Sequence, residues 1–111
     1  MADKMKIAYV CGPYRADTIV GTGDNIQRAK EAAKVLWKSG YAVLCPHMNS
    51  AMLDGLVPDK QFLAAGLRML EVSDVVFVLD KWSGSKGSVA EVKRAKKKKI
   101  KIDYSFTRKP E

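Results

Sequence analysis

SDVVFVLDKWSGSKGSVAEVKRA, running from Ser73 to Ala95, has the makings of a complete strand–loop–helix unit. Five apolar residues in a row, Val75 to Leu79, lie between Asp74 and Asp80. That pattern suits a parallel strand covered on both faces. Ser83 to Gly87 reads as a Gly- and Ser-rich loop, and a helix is expected to begin near Ser88. A loop of this kind feeding a helix start presents unpaired backbone N–H groups and the positive end of the helix dipole, which together attract an anion. Glu91 falls in the first turn of that helix, where it would be held ionised.

Upstream, Met5 to Cys11 (MKIAYVC) reads as a first strand, ended by Gly12-Pro13. The loop GPYRADTIVGTGD follows through Asp24, with Gly21 and Gly23 loosening its second half. The spacing predicts a helix over Asn25 to Ser39, capped by Asp24 or Asn25, with Ile26, Ala29, Ala33 and Leu36 on one face. Gly40 stops it, Tyr41 to Cys45 forms a second strand, and Pro46 ends that strand. After the loop PHMNSAMLDGLVP, a second helix is expected from about Asp59 to Val72, striped by Leu63, Leu67 and Leu70. Beyond the glycine loop, a third helix from Val89 to about Lys98 offers Val89, Val92 and Ala95 for burial. Ile100 and Ile102 mark a fourth short strand, and Asp103 to Glu111 is a polar tail.

Strands alternating with helices predict a Rossmann-like three-layer α/β domain, a parallel sheet of order 2-1-3-4 with helices on both faces. In such sheets ligands bind beyond the carboxyl ends of the strands, at the switch point between strands 1 and 3. The loops arriving there carry Gly12, Pro13 and Arg15, then Pro46 to Ser50 with His47, then Asp80 to Glu91 with Ser85, Gly87 and Ser88.

The 111 residues suffice for one core, so residues 1–111 are read as a single domain. The opening MADKMKIAYV has no long apolar run, so neither a signal peptide nor a membrane anchor is expected there. Cys11 and Cys45 have no metal-ligand spacing and no secretory context, which reads as reduced thiols in a cytoplasmic protein. No His, Cys and carboxylate cluster has metal spacing, so neither a metal nor a cofactor is expected.

The net charge of +8 is concentrated in KRAKKKKIK, Lys93 to Lys101, where seven of nine residues are basic. Such a tract can bind nucleic acid. It is also what a solvated helix face and C-terminus look like. Without interleaved aromatics to stack bases, the solvated reading is preferred and a nucleic-acid partner is not expected.

YVCGPYR at the first strand end, CPH at the second, and SDVVFVLDxWSGSxGSxxE at the third resemble the nucleoside 2-deoxyribosyltransferase-like superfamily. Its members include nucleoside 2-deoxyribosyltransferases, deoxynucleoside 5'-monophosphate N-glycosidases and small relatives, many from phages. The resemblance runs from Met5 to about Ile102. It implies chemistry at an N-glycosidic bond, with Glu91 attacking the anomeric carbon to give a covalent glycosyl-enzyme that water or a second base resolves. It implies that Tyr9 positions that carboxylate, and that Gly12, Arg15, Ser85 and Gly87 hold the 5' end or its phosphate. It also places His47 near the base, and implies a dimer or larger homo-oligomer. One departure stands out: where the family carries an aspartate in the second helix that aids base departure, this sequence has Gly66, in FLAAGLRML. Leaving-group protonation would then fall to another group, such as Asp80 or Asp54.

Each residue also has a plainer reading. Ser88-Val89-Ala90-Glu91 fits a capping box, with Glu91 reaching back to the Ser88 N–H; the nucleophile reading is preferred because the box leaves the glycine loop unexplained. Arg15 is a phosphate fork or a surface arginine. Ser85 and Ser88 donate to phosphate or simply build a turn. Tyr9 by its position is a core aromatic, and His47 contacts a base or caps a loop. Trp82 is a lid, a stacking wall or a packing residue. Asp74 anchors the strand entrance.

The leading expectation is a small enzyme that cleaves, or exchanges, the base of a nucleoside 5'-monophosphate through Glu91. A nucleotide sensor or sponge on the same scaffold is the alternative, supported by Gly66. A nucleic-acid-binding protein using Lys93 to Lys101 is the third.

Overall fold

The computed structural model, which describes residues 4–107, folds the alternating apolar runs into four strands and four helices. In chain order these are β1 (Ile7–Cys11), α1 (Ile19–Lys38), β2 (Ala42–Leu44), α2 (Pro46–Asn49), α3 (Asp59–Glu71), β3 (Val75–Val78), α4 (Lys86–Lys97) and β4 (Lys101–Asp103). A single 3-10 turn, Trp82–Gly84, precedes α4. The end of the expected polar tail, residues 108–111, lies outside the described residues. The sheet is parallel throughout, in the order β2-β1-β3-β4. Both the order and the strand sense are those the alternation of elements implies.

β1 and β3 are the inner strands, in register from Ala8 opposite Val75 to Cys11 opposite Val78. Asp74 anchors the entrance to β3, accepting from the Ile7 N–H at 2.7 Å through Oδ2 while its own N–H reaches the Ile7 carbonyl at 2.8 Å. Because strand side chains alternate between faces, the two inner strands feed two separate cores. Ala8, Val10, Val75 and Phe77 pack with Ala29, Ala33 and Leu36 of α1. Tyr9, Cys11, Val76 and Val78 pack with Leu70 of α3 and with Val92 and Ala95 of α4. Small alanines on α1 and α4 let these helices lie close to the sheet.

Three local expectations are corrected. α1 begins at Ile19 rather than Asn25. Its N-cap is Thr18, whose Oγ1 accepts from the Gly21 N–H at 2.9 Å. The early turns carry no apolar signal, because Ile19 and Val20 face outward and the first buried residue is Ala29. Gly21 lies inside the helix rather than in a loop, and its missing side chain admits Ala16, whose Cβ would stand 2.7 Å from a Cβ there. Gly40, at φ +95°, ends the chain's helical path as expected.

The segment after β2 is not wholly loop, since Pro46–Asn49 forms the short α2. Most consequential is α4, which starts at Lys86 with Ser85 as its N-cap, the Ser85 Oγ accepting from the Ser88 N–H at 3.3 Å. Ser88 is therefore the third residue of the helix, and Glu91 lies in its second turn. The capping box is excluded. Among the described residues, no helix is long and apolar enough to cross a membrane.

Candidate active site

Tyr9 sits on β1 with its side chain toward α3 and α4 and is fully buried. Its hydroxyl donates to Oε2 of Glu91. Cys11, two residues on and on the same face, brings its thiol within reach of both the Ser88 carbonyl, at 3.6 Å, and the Glu91 carboxylate. A carboxylate from one turn of α4 is thus met by donors from alternate positions of an inner strand.

Burial pushes the Glu91 carboxyl above its usual range, and the hydrogen bonds from Tyr9 and Cys11 pull it only part of the way back. The expectation of a dipole-held, low-pKa carboxylate is therefore corrected. Glu91 is too far along α4 for the terminal N–H groups to reach, and desolvation decides the direction. Burial, reinforced by the neighbouring Glu91 charge, raises both the Tyr9 phenol and the Cys11 thiol. Both therefore stay protonated as donors while Glu91 is the acceptor.

α3 crosses this pair at its buried glycine, Gly66. A Cβ at that position would come 3.0 Å from the Tyr9 hydroxyl and 3.2 Å from Glu91 Oε2. The helix can approach so closely because position 66 has no side chain. An aspartate in this backbone position would be driven into the carboxylate itself.

Above the pair opens a cavity of about 1100 Å³, at the carboxyl ends of the strands. Glu91 lines it, with Tyr9 behind. Gly12, Pro13 and Arg15 come from the loop after β1, and His47 from α2; Ser85, Gly87 and Ser88 come from the start of α4. The sequence-derived residues thus converge on one space. Asp80 is not among the residues lining it.

Gly12 passes directly over Leu79, where a Cβ would come within 2.8 Å of that side chain. The Gly12 and Pro13 carbonyls each lie 3.0 Å from Nε2 of His47. Carbonyls only accept, so Nε2 carries the proton and Nδ1 is the bare nitrogen. His47 is 5% exposed, and its Nδ1 is buried with no partner among the described residues. Burial lowers its pKa, against the opposing pull of the two carbonyls, so the ring is neutral. The histidine holds the loop after β1 in place and rests edge-on against Tyr14, ring centroids 5.9 Å apart. The Ser88 hydroxyl is likewise buried without a partner among the described residues.

Arg15 makes contacts the sequence did not foretell. Its guanidinium donates to Asp59 at 2.9 Å and lies 3.6 Å from Asp54. The Tyr14 hydroxyl donates to Asp54 at 2.8 Å. Partial burial and this bond push the Tyr14 phenol up to about 12. Arg15 and Tyr14 thereby tie the loop after β1 to the α2–α3 connection and to the start of α3 across the cavity mouth. No sequence spacing signals such a clasp, because its members lie far apart in the chain.

The start of α4 faces the same cavity. Ser85 caps it, leaving the N–H groups of Lys86 and Gly87 in the first turn without helical acceptors. Lys60, Lys81 and Lys86 add side-chain cations around this end. An anion placed here meets a helix N-terminus and ammonium groups together. Among the described residues, no group of three or more His, Cys, Asp or Glu side chains could hold a metal ion.

A family model described as "Domain of unknown function (DUF7768)" matches residues 6–105, a span that holds every candidate residue above. The chain belongs to the DUF7768 family. No curated protein matches the sequence. The DUF7768 domain thus presents a half-buried carboxylate with two protonated donors, and a cationic helix start beside it. A carboxylate so held can act as a nucleophile or base toward a ligand whose anionic end rests on α4.

Proposed function

We propose that this DUF7768 domain is an N-glycosidase acting on nucleoside 5'-monophosphates, with Glu91 as nucleophile. The observation that carries the reading is the Tyr9–Glu91 hydrogen bond beside the capped start of α4. It joins a positioned carboxylate to an anion site within one cavity. The likeness of the strand-end motifs to nucleoside 2-deoxyribosyltransferase-like enzymes supports the same reaction class.

In this mechanism the phosphate rests on the Lys86 and Gly87 N–H groups, with Arg15 released from Asp59 to join it. A Glu91 carboxylate oxygen attacks the anomeric carbon as the C–N bond breaks, and the base leaves with the bonding pair and takes up a proton. Water then attacks the anomeric carbon, the bond to Glu91 breaks, and the water gives up a proton. The sum is one water consumed, with one free base and one sugar phosphate formed. An oxocarbenium-like centre suits capture by a carboxylate. Desolvation that raises the Glu91 pKa also raises its basicity, and Tyr9 fixes which oxygen remains available. A homo-oligomer in which a second copy covers the cavity mouth belongs to the same proposal.

A second reading is a nucleotide-binding protein without turnover, and Gly66 favours it. With no side chain at that position, Gly66 brings no acid to the leaving base, and Asp54 is engaged by Tyr14 and Arg15. Incubation with a panel of ribo- and deoxyribonucleoside 5'-monophosphates, with chromatography of the free base, separates the two. Release that disappears in Glu91→Ala supports the enzyme. Tight binding of one nucleotide with no release by either protein supports the binder.

A further inference from the structure

We propose that the edge of the sheet opposite the cavity is a nucleic-acid-binding face that grips phosphates without reading sequence. In a parallel sheet all strand amino ends lie at one edge, and the connecting helices deliver their C-termini there. This arrangement gathers Lys96, Lys97, Lys98 and Lys99 from the end of α4, Lys101 from β4, and Lys6 from the entrance to β1. All six are exposed.

Register fixes how near these groups come. Lys101 is level with Val75, and Val75 with Ala8, so Lys6 enters the same edge two strands away. Adjacent strands are about 4.8 Å apart, which puts the two backbones about 10 Å apart across the sheet. Lys38 ends α1 and Arg68 lies in the last turn of α3, both at this edge and exposed. Lys99 has φ +58°, a turn that carries its side chain away from the helix path.

Acidic compensation on this edge is small. Glu71 is taken up by Arg94 and Arg68, and Asp74 by the Ile7 N–H. A helix C-terminus attracts one or two cations through its dipole. It gives no account of lysines arriving from separate strands and helices. The sequence alone shows only the run at Lys93 to Lys101; the fold adds Lys6 and Lys38 to it.

Lysine ammonium groups engage phosphates as point charges rather than as bidentate readers of base edges. Phosphates repeated along a nucleic-acid backbone match a row of such charges better than a single anion does. The face is also distinct from the cavity, since the 12-residue α4 separates its two ends by about 18 Å.

The test is fluorescence anisotropy with a labelled duplex and a labelled single strand of random sequence, titrated from low to physiological salt. Micromolar binding that weakens steeply with salt is expected. Lys97→Ala/Lys98→Ala and Lys6→Ala/Lys101→Ala should each weaken it about tenfold and shallow the log–log salt slope by about two. Lys30→Ala/Lys34→Ala removes the same formal charge from the exposed side of α1 and should leave affinity within about twofold. Equal losses in all three variants would reduce the effect to net charge and overturn the proposal. So would absence of binding, poly-glutamate binding as tightly as nucleic acid, or capture by anionic vesicles alone.

Discussion

The hydroxyl of Tyr9, on the inner strand β1, donates to the carboxylate of Glu91, 82 positions later on α4. Neither group could be buried alone without cost. A desolvated carboxylate needs donors, and a buried phenol needs an acceptor. Their pairing meets both needs and leaves Glu91 at the floor of an open cavity.

Removing that donor should change Glu91 in a defined direction. The Tyr9 bond lowers the Glu91 pKa against burial, so Tyr9→Phe should raise it further. If turnover requires ionised Glu91, the acid limb of the pH–rate profile moves to higher pH. A hydrogen bond to a charged group is worth about 1.5–3 kcal/mol, so a measurable drop in thermal midpoint accompanies the shift. An unmoved acid limb would mean that the phenol does not tune the carboxylate.

Glu91→Gln should stabilise the fold while silencing it. Burial raises the folded-state pKa of Glu91 above the ordinary carboxylate value of 4.5. The folded protein therefore binds this proton more tightly than the unfolded chain, and the stability it confers is lost as pH rises through the folded pKa. At neutral pH the wild type carries the penalty of a buried charge, and the neutral amide of the variant does not. The melting-temperature advantage of the variant should be present at pH 7, fade as pH falls through the raised folded pKa, and be gone below 4.5. An advantage of the same size at both ends of that range would show that the buried charge is not its source.

His47 gives the opposite slope. Burial lowers its pKa below the ordinary 6.5, so the unfolded chain takes up the proton first. Its contribution is fully present above 6.5 and declines as pH falls through that value toward the folded pKa. His47→Gln should flatten the fall in melting temperature that the wild type shows below pH 6.5. An identical slope in both proteins would show that the ring does not stay neutral in the folded state.

Gly66 marks the closest approach of α3 to the site. Gly66→Asp places a second carboxylate against Glu91, where a Cβ alone would lie 3.2 Å from Oε2. Like charge raises the Glu91 pKa again, and crowding displaces the Tyr9 bond. The variant is expected to lose about 1–3 kcal/mol in denaturant unfolding at pH 7 and to gain no base release. Increased release would mean that helix α3 can move to accept an acid.

Arg15→Ala should leave stability within about 0.5 kcal/mol, because its pairs with Asp59 and Asp54 are exposed. Its effect should appear in binding. The preference for a nucleoside 5'-monophosphate over the nucleoside should narrow by about tenfold, the usual worth of one charge-assisted bond. A preference of unchanged size would leave the phosphate to α4 alone.

Much of this was legible in the chain itself. Val75 to Leu79 and MKIAYVC announce buried parallel strands, and the alternation with helices fixes the order β2-β1-β3-β4. The convergence of Gly12, His47, Ser85 and Glu91 follows from that topology. What escaped were features without a local signal. The outer turns of α1 bury nothing before Ala29, so periodicity had nothing to register. The sequence pattern starts α4 near Ser88 rather than at Lys86, which puts Glu91 one turn too early, because no local signal separates one serine of that loop from another. Cys11 reads only as a reduced thiol, and the contacts of Arg15 with Asp54 and Asp59 join segments that no spacing rule connects.

The most direct test of the central claim is release of free base from nucleoside 5'-monophosphates by the wild type and by Glu91→Ala, followed by chromatography. Release from at least one nucleotide is expected, falling about a thousandfold or more in the variant, with nucleotide binding retained. Release that continues undiminished in Glu91→Ala, or its absence from every nucleotide in the wild type, would contradict a Glu91-dependent glycosidase.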